Sequence, residues 1–210
     1  MSKIDFNALR DRAYKCACAH GFHNTELINE HFLCLVISEL MEAVEADRKN
    51  RRFDKEKHKL GEYAECQGWL TTEEKFINVF NRYIKDTVED ELSDAVIRLL
   101  DLAGSLDISL DDIYDLTNEP EYKDWDYVLK EMSFTERMFF LTSILTEDRD
   151  IAEVIKASIV TIFLNADLLH IDLLWHIEHK MRYNELRENK HGKKYGYEPD
   201  SRRSSKIIFQ

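Results

Sequence analysis

The sequence has little glycine, little proline and no long apolar run. Its 210 residues include six glycines and two prolines, while leucine, glutamate, lysine, alanine and isoleucine are abundant. Glycine and proline disfavour helix interiors, whereas the abundant residues favour them, so the composition predicts an almost wholly helical protein. No apolar stretch approaches the ~20 residues of a membrane-spanning helix. The polar start MSKIDFNALRDR is unlike a secretory signal peptide.

The four cysteines form neither a C-x-x-C pair nor a recognisable zinc spacing; they are Cys16, Cys18, Cys34 and Cys66. Cys34 lies in the apolar run FLCLVI, which predicts a buried, reduced thiol. Together with the absence of a signal peptide, this cysteine usage predicts a cytoplasmic protein with no membrane partner.

The chain is acidic, with a formal net charge of −12. Binding to phosphate backbones needs a basic surface, so this balance argues against a polynucleotide partner. The region from Lys180 to Lys206 is different, because it has nine lysines or arginines against four acids. A local basic segment therefore lies near the end of an acidic protein.

Two acidic stretches carry the main chemical signal. ISELMEAVEAD contains Glu39 and Glu42, and VEDELSDAVIRLLD contains Glu91 and Asp94. Residues three apart are neighbours on a helix surface, so each stretch presents a carboxylate pair beside an apolar stripe. One such pair is usually only a solvated face. Two pairs in apolar surroundings favour a cation site, and oxygen ligands suit Mg²⁺, with Mn²⁺ as a substitute.

Periodicity and capping signals define the expected helices. Thr71-x-x-Glu74 and Ser133-x-x-Glu136 have the pattern of a capping box, and Thr87-x-x-Asp90 gives a similar N-terminal signal. They are predicted over residues 5–20 with Gly21 as the stop, 24–50 with Asn24 as the cap, 60–67, 71–83, 87–104, from Ser133 onward, 151–169 and 171–190. Residues 48–59 are predicted to form a loop or a solvated helix end. Residues 110–125, with Pro120, are predicted to form a linker.

The two halves show a faint likeness. LAGSLDISLDDI follows the second acidic pair, and LNADLLHIDLLWHI occurs about sixty residues later. Val154 and Ala157 stand where the first copy has Glu91 and Asp94. A duplication that kept one metal site and a chance similarity between amphipathic helices both explain this pattern.

The segments LVISELMEAVEADRK, KDTVEDELSDAVIRLLDLAG and IEHKMRYNELRENKHGKKY together resemble the MazG-like nucleoside triphosphate pyrophosphohydrolases. These belong to an all-α superfamily that also contains dimeric dUTPases and phosphoribosyl-ATP pyrophosphatases. The resemblance implies an all-α helical bundle and four Mg²⁺ ligands: Glu39, Glu42, Glu91 and Asp94. It also implies that Lys180 and Asn184 contact the nucleotide.

Spacing supports a basic face beside the acids. Lys180, Asn184 and Arg187 lie at i, i+4 and i+7 of one predicted helix, and Lys190 extends the strip. Taken alone, a basic helix end is usually a solvated end that complements the helix dipole. Beside four acids, Lys180, Arg187 and Lys190 are predicted to neutralise phosphates, with Asn184 hydrogen-bonding to phosphate or sugar.

The length of the chain departs from the compact family pattern. We expect an acidic-motif half at 1–110, an inserted or duplicated region at 111–170, a basic helix completing the site at 171–195 and a flexible tail at 196–210. These parts are expected to share one structural domain. The inserted helices are hypothesised to replace part of a dimer partner, which gives a monomeric pseudo-dimer with one active site; a homodimer is the alternative.

The predicted reaction is Mg²⁺-dependent hydrolysis of a nucleoside triphosphate to the monophosphate and diphosphate. The catalytic residues are predicted to be Glu39, Glu42 and Lys180, with either glutamate as the general base. The main alternative is a noncatalytic nucleotide sensor that uses the same ligands. His23, in a turn, is predicted to be exposed, and Phe22, Trp69 and Phe80 are more typical of a core than of a base-stacking site.

Overall fold

The computed structural model describes residues 4–66, 69–116 and 120–187, and only the backbone of residues 120–123 and 126. Within these ranges the chain folds into helices and contains no strand, which confirms the predicted all-α class. The helices are α1 (Phe6–Ala19), α2 (Asn29–Arg48), α3 (Lys55–Cys66), α4 (Thr72–Tyr83), α5 (Val88–Ser105), α6 (Ile113–Leu116), α7 (Pro120–Glu131), α8 (Phe134–Leu145), α9 (Ile151–Leu168) and α10 (Leu173–Leu186).

Helix α5 is the centre of the bundle. It packs against α1, α2, α9 and α10, and most of its residues are buried. Apolar residues cover most of its circumference, and charged residues, including Glu91, Asp94 and Arg98, share the remaining face. The Thr87 side chain caps its start by accepting a hydrogen bond from the backbone N–H of Asp90. This position places the second acidic pair inside the bundle.

The predicted capping boxes are confirmed at two helix starts. Thr71 and Glu74 cap α4 reciprocally, and Ser133 and Glu136 do the same for α8. In each box the hydroxyl accepts from the backbone N–H three residues later, and the glutamate accepts from the backbone N–H of the cap.

Two predicted helix starts are wrong. Helix α2 begins at Asn29, not after Asn24, because the Asn24 N–H donates to the Gly21 carbonyl and continues the turn after α1. Helix α3 begins at Lys55, well before the predicted start at residue 60. The Asp54 carboxylate accepts from the backbone N–H groups of Glu56 and Lys57 and so starts a helix in the charged stretch.

The predicted linker at 110–125 is also wrong. Leu110 and Ile113 are buried in the core, Ile113 begins α6, and α7 begins at Pro120. Proline suits the first position of a helix, where its missing N–H has no helical partner to lose. Pro120 therefore marks a helix start in this stretch.

Cys34 is exposed, so the predicted burial of its thiol is wrong. The buried face of α2 is set by Val36, Leu40 and Ala43. Cys34 is two residues before Val36, about 200° around the helix, and so lies on the opposite face.

One contiguous cluster of buried apolar side chains runs through the bundle, including residues of α8 and α9 from the expected insertion. Among the described residues, no single helix is long and apolar enough to cross a membrane. Helices α9 and α10 pass the same test of length and composition only as a pair bent by 116°.

Gly104 permits α1 to approach α5 closely. A Cβ atom at this position would lie 2.5 Å from Cβ and 3.0 Å from Cγ of Tyr14. Gly104→Ala is therefore expected to destabilise the protein by about 1–3 kcal/mol through overpacking. Urea unfolding measures this change. Asn78→Ala, at an exposed position of α4, is the control and should change stability by less than about 0.5 kcal/mol. Equal unfolding midpoints for Gly104→Ala and the parent would contradict the close approach.

Candidate metal centre

Three predicted ligands converge where α2 packs against α5. One carboxylate oxygen from each of Glu39, Glu91 and Asp94 lies within 4.8 Å of the other two. Glu39 and Glu91 are buried and Asp94 is partly buried. Because the central position of α5 and the apolar face of α2 fix these side chains, the fold itself assembles the triad.

The fourth predicted ligand, Glu42, lies at the exposed edge of this group. It is one turn beyond Glu39 on α2 and accepts a 3.5 Å hydrogen bond from the Ser38 hydroxyl. Its charge still reaches the triad, because it contributes to the raised pKa values of Glu39 and Glu91. Glu42 is therefore near the triad but does not belong to it.

Burial makes the triad costly to ionise. Burial and the neighbouring Asp90 raise the pKa of Glu91 to about 8. Burial and the Asp94 charge also raise the pKa of Glu39. In the protein alone, Glu91 is therefore largely protonated at pH 7. A cation among these oxygens would stabilise the carboxylate form of Glu91 and offset the cost of burying its charge.

Lys180 lies directly beside the triad. Its ammonium group donates to Asp94 at 2.8 Å and to Asp90 at 2.9 Å. Burial alone would lower the pKa of Lys180, but Asp94 and Asp90 raise it above its ordinary value. Burial raises the pKa of Asp90 to about 6, against the opposing effect of Lys180. At pH 7 the Lys180–Asp90 pair is therefore ionised.

Arg98 is a second cation at the site, which the sequence analysis missed. Its guanidinium donates to Glu39 across the α2–α5 contact at 2.5 Å. Burial acts to lower the pKa of Arg98, but the charges of Glu39 and Asp94 raise it. Arg98 lies four residues after Asp94 and seven after Glu91, so its spacing places it on the acidic face of α5.

The remaining predicted basic residues differ in position. Asn184 is half-buried one turn beyond Lys180, and Arg187 is exposed with its guanidinium 5.7 Å from the Tyr183 ring centroid. Lys190 lies outside the described residues. Helix α10 ends just before Arg187, which is its C-cap with an extended backbone, so the prediction that Arg187 continues the helical face of Lys180 and Asn184 is wrong. The structure thus brings Lys180 to the acids, with Asn184 in the last turn of α10 and Arg187 just beyond its end.

The predictions for the residues outside the acidic group have mixed outcomes. His23 is not exposed, because its ring bonds to Asp101 at 2.7 Å and stacks on Phe32. Phe80 is a core residue, as predicted. Phe22 is 46% exposed and Trp69 is fully exposed, so the predicted core positions of these two residues are wrong.

The donor set fits a hard divalent cation. Carboxylate oxygens within 4.8 Å of one another can share an ion such as Mg²⁺ or Mn²⁺, whose coordination prefers oxygen ligands. Two surface clefts lie elsewhere, and neither is lined by the triad or by Lys180. The chemistry therefore points to the α2–α5 contact and not to those clefts.

The chain matches no family model, no curated protein and no solved structure.

Proposed function

We propose that the protein is a Mg²⁺-dependent nucleoside triphosphate pyrophosphohydrolase that yields a nucleoside monophosphate and diphosphate. The observation that carries the proposal is the convergence of Glu39, Glu91 and Asp94 with Lys180 beside them. A carboxylate cluster next to a fixed ammonium group is what binding of a metal–triphosphate complex requires. The resemblance of the acidic and basic segments to the MazG-like family supports the same reaction.

Each side chain has a distinct role in the proposed reaction. Glu39, Glu91 and Asp94 would hold Mg²⁺, which supplies Lewis-acid neutralisation of phosphate oxygens when bound. Lys180 would neutralise the phosphates, while Asn184 in the last turn of α10 and Arg187 just past its end would contact the departing diphosphate or the sugar. The bond between the α-phosphorus and its bridging oxygen breaks, and water supplies the new oxygen of the monophosphate.

Glu42 is the better candidate to orient and deprotonate that water. Glu39 belongs to the triad and accepts a hydrogen bond from Arg98 at 2.5 Å, so its carboxylate is less free to contact the attacking water. Glu42 is exposed, lies one turn away and accepts only a long hydrogen bond from Ser38 among its described contacts. A general base needs a free oxygen within reach of the attacking water.

The proposal is tested by diphosphate release from a panel of ribo- and deoxyribonucleoside triphosphates with Mg²⁺. In H₂¹⁸O the label is expected in the monophosphate, because attack occurs at the α-phosphorus. Asp94→Asn should lower kcat/KM by at least about 100-fold, since a metal ligand contributes several kcal/mol to the transition state.

Glu89→Gln is the matched control for this assay. Glu89 is a buried carboxylate on the same helix, but it lies outside the acidic triad and accepts a hydrogen bond from the backbone N–H of Phe53. Its activity should stay close to that of the parent. If the protein binds nucleotides in a Mg²⁺-dependent way but does not hydrolyse them, it is a nucleotide sensor and not an enzyme. If it binds no nucleotide, both the enzyme and the sensor hypotheses are rejected.

A further inference from the structure

The two carboxylates that bind Lys180 are not equivalent. Both lie on α5, four residues apart, and the ammonium nitrogen donates to Oδ2 of each. Asp94 is 19% exposed and contributes to the triad, whereas Asp90 is 1% exposed and lies outside it. A metal ion in the triad would therefore use one partner of Lys180, Asp94, and not the other.

Asp90 is held in place by the start of α5. Its Oδ2 atom also accepts from the backbone N–H of Asp86 at 3.0 Å, and its own backbone N–H donates to the Thr87 hydroxyl. Asp86 has a left-handed backbone with φ of 58°, which closes the turn before the helix. Asp90 thus has a fixed orientation that does not depend on Lys180.

Asp90 has a second carboxylate oxygen that can accept a further hydrogen bond. Its Oδ1 atom is buried and has no hydrogen-bond partner among the described residues. A lysine ammonium group has three N–H donors, and two of them are used in the observed contacts. If Asp94 turned toward a cation in the triad, Lys180 could keep its hydrogen bond to Asp90 and direct the released N–H donor toward a phosphate bound beside the triad.

A buried ammonium group left without a partner would be costly, and it would move or lose its proton. We infer that Asp90 is a positioning residue that holds Lys180 beside the metal centre while Asp94 serves the metal. This inference rests on the proposed function for the identity of the phosphate ligand, but the anchoring of Lys180 can be measured without any nucleotide.

The first test is chemical footprinting of lysines with acetic anhydride, read by mass spectrometry, in the presence of Mn²⁺. Lys180 is expected to stay protected in the parent and in Glu89→Gln. In Asp90→Asn its acetylation rate should rise by at least about tenfold, because a charge-assisted hydrogen bond is lost. Equal protection in the parent and in Asp90→Asn would overturn the inference.

The second test separates Lys180 from the metal. Mn²⁺ affinity, measured by titration with electron paramagnetic resonance, should change by less than about threefold in Asp90→Asn, since Asp90 is outside the triad. Affinity for a non-hydrolysable α,β-methylene nucleoside triphosphate should fall by about tenfold or more. A loss of Mn²⁺ affinity equal to the loss of nucleotide affinity would make Asp90 a metal ligand and would overturn the positioning role.

A double-mutant cycle with Lys180→Met completes the test. If Asp90 acts through Lys180, adding Asp90→Asn to Lys180→Met should produce little further loss in nucleotide affinity or kcat/KM. Additive losses would indicate a general structural role and contradict the inference. If the parent binds no nucleotide while the footprinting result holds, the proposed function fails and the anchoring of Lys180 stands.

Discussion

Replacing Glu91 by Gln is expected to remove diphosphate release while stabilising the metal-free protein at pH 8. Glu91 is buried in the triad, and burial together with Asp90 raises its pKa to about 8. The folded protein therefore resists ionising a side chain that a metal site requires as a carboxylate. Gln has nearly the same shape, carries no charge and is a poor Mg²⁺ ligand, so activity and stability should change in opposite directions.

The sign of the pH dependence follows from the raised pKa of Glu91. In the unfolded chain a glutamate ionises near pH 4.5, whereas Glu91 in the folded protein ionises near pH 8. Its contribution to stability is full below pH 4.5 and is lost as the pH rises to 8. The loss is at most about 1.4 kcal/mol for each pH unit in that interval.

The stability advantage of Glu91→Gln over the parent should therefore grow between pH 5 and pH 8. Urea unfolding in EDTA at several pH values measures it, with Glu89→Gln as the control. In the parent, added Mg²⁺ should raise the unfolding midpoint more at pH 8 than at pH 6, because the cation must displace the Glu91 proton. If Glu91→Gln is less stable than the parent, and its stability relative to the parent does not rise with pH, then the triad is a structural network.

The sequence predicted the helices whose signals are local. Capping boxes at Thr71 and Ser133, the cap at Thr87 and the stop at Gly21 depend on a few adjacent residues, and the structure contains all four. The errors occurred where tertiary packing or a single capping residue determines whether a helix forms and where it begins. The α6–α7 region lacks a clear apolar period, yet Leu110 and Ile113 insert into the core from it.

The convergence of the acidic triad was predictable because the spacing and apolar surroundings of its residues are both visible in the sequence. The cationic residues beside the triad were predictable only in part. Lys180 was found through the resemblance, and Arg98 could have been found from its spacing after Glu91 and Asp94. Asp90 has no such signal, because it precedes Glu91 by one residue and only the packing of α10 on α5 brings Lys180 to it.

The faint internal likeness has a local physical basis. Helices α5 and α9 both end in a left-handed residue, Asp107 and His170, and the following N–H returns to the carbonyl of Ala103 or Ala166. Helix α2 ends in the same way at Asn50. Because this cap is a common helix ending, the likeness of the two segments is accounted for without a duplication, which stays a hypothesis.

A second large effect is expected from acid, through a histidine cluster formed by α3 and α10. His176 and His58 are buried, and both pack with His179 around the rings of Phe53 and Trp175. Burial, helped by the nearby His179 and His58, lowers the pKa of His176 to about 3. Burial also lowers the pKa values of His58 and His179, although Glu62 opposes the shift at both.

A lowered histidine pKa makes acid destabilising. The unfolded chain takes up a proton at this position near pH 6.5, but the folded protein does so only near pH 3. The stabilising contribution of neutral His176 is therefore full above pH 6.5 and is lost as the pH falls toward 3. Between pH 6.5 and pH 5 the loss from this residue is roughly 2 kcal/mol.

His176→Phe should lose less stability than the parent between pH 6.5 and pH 5, since Phe cannot be protonated and the buried Nδ1 atom, which has no described hydrogen-bond partner, is removed. Urea unfolding across this range gives the difference, and comparing variants cancels the opposite contribution of the acidic triad. His31→Gln, at an exposed position of α2, should follow the parent. His176→Gln guards against overpacking by Phe. Parallel pH curves for the parent and both His176 variants would mean that His176 is protonated without cost in the folded protein, contrary to its burial between Phe53 and Trp175.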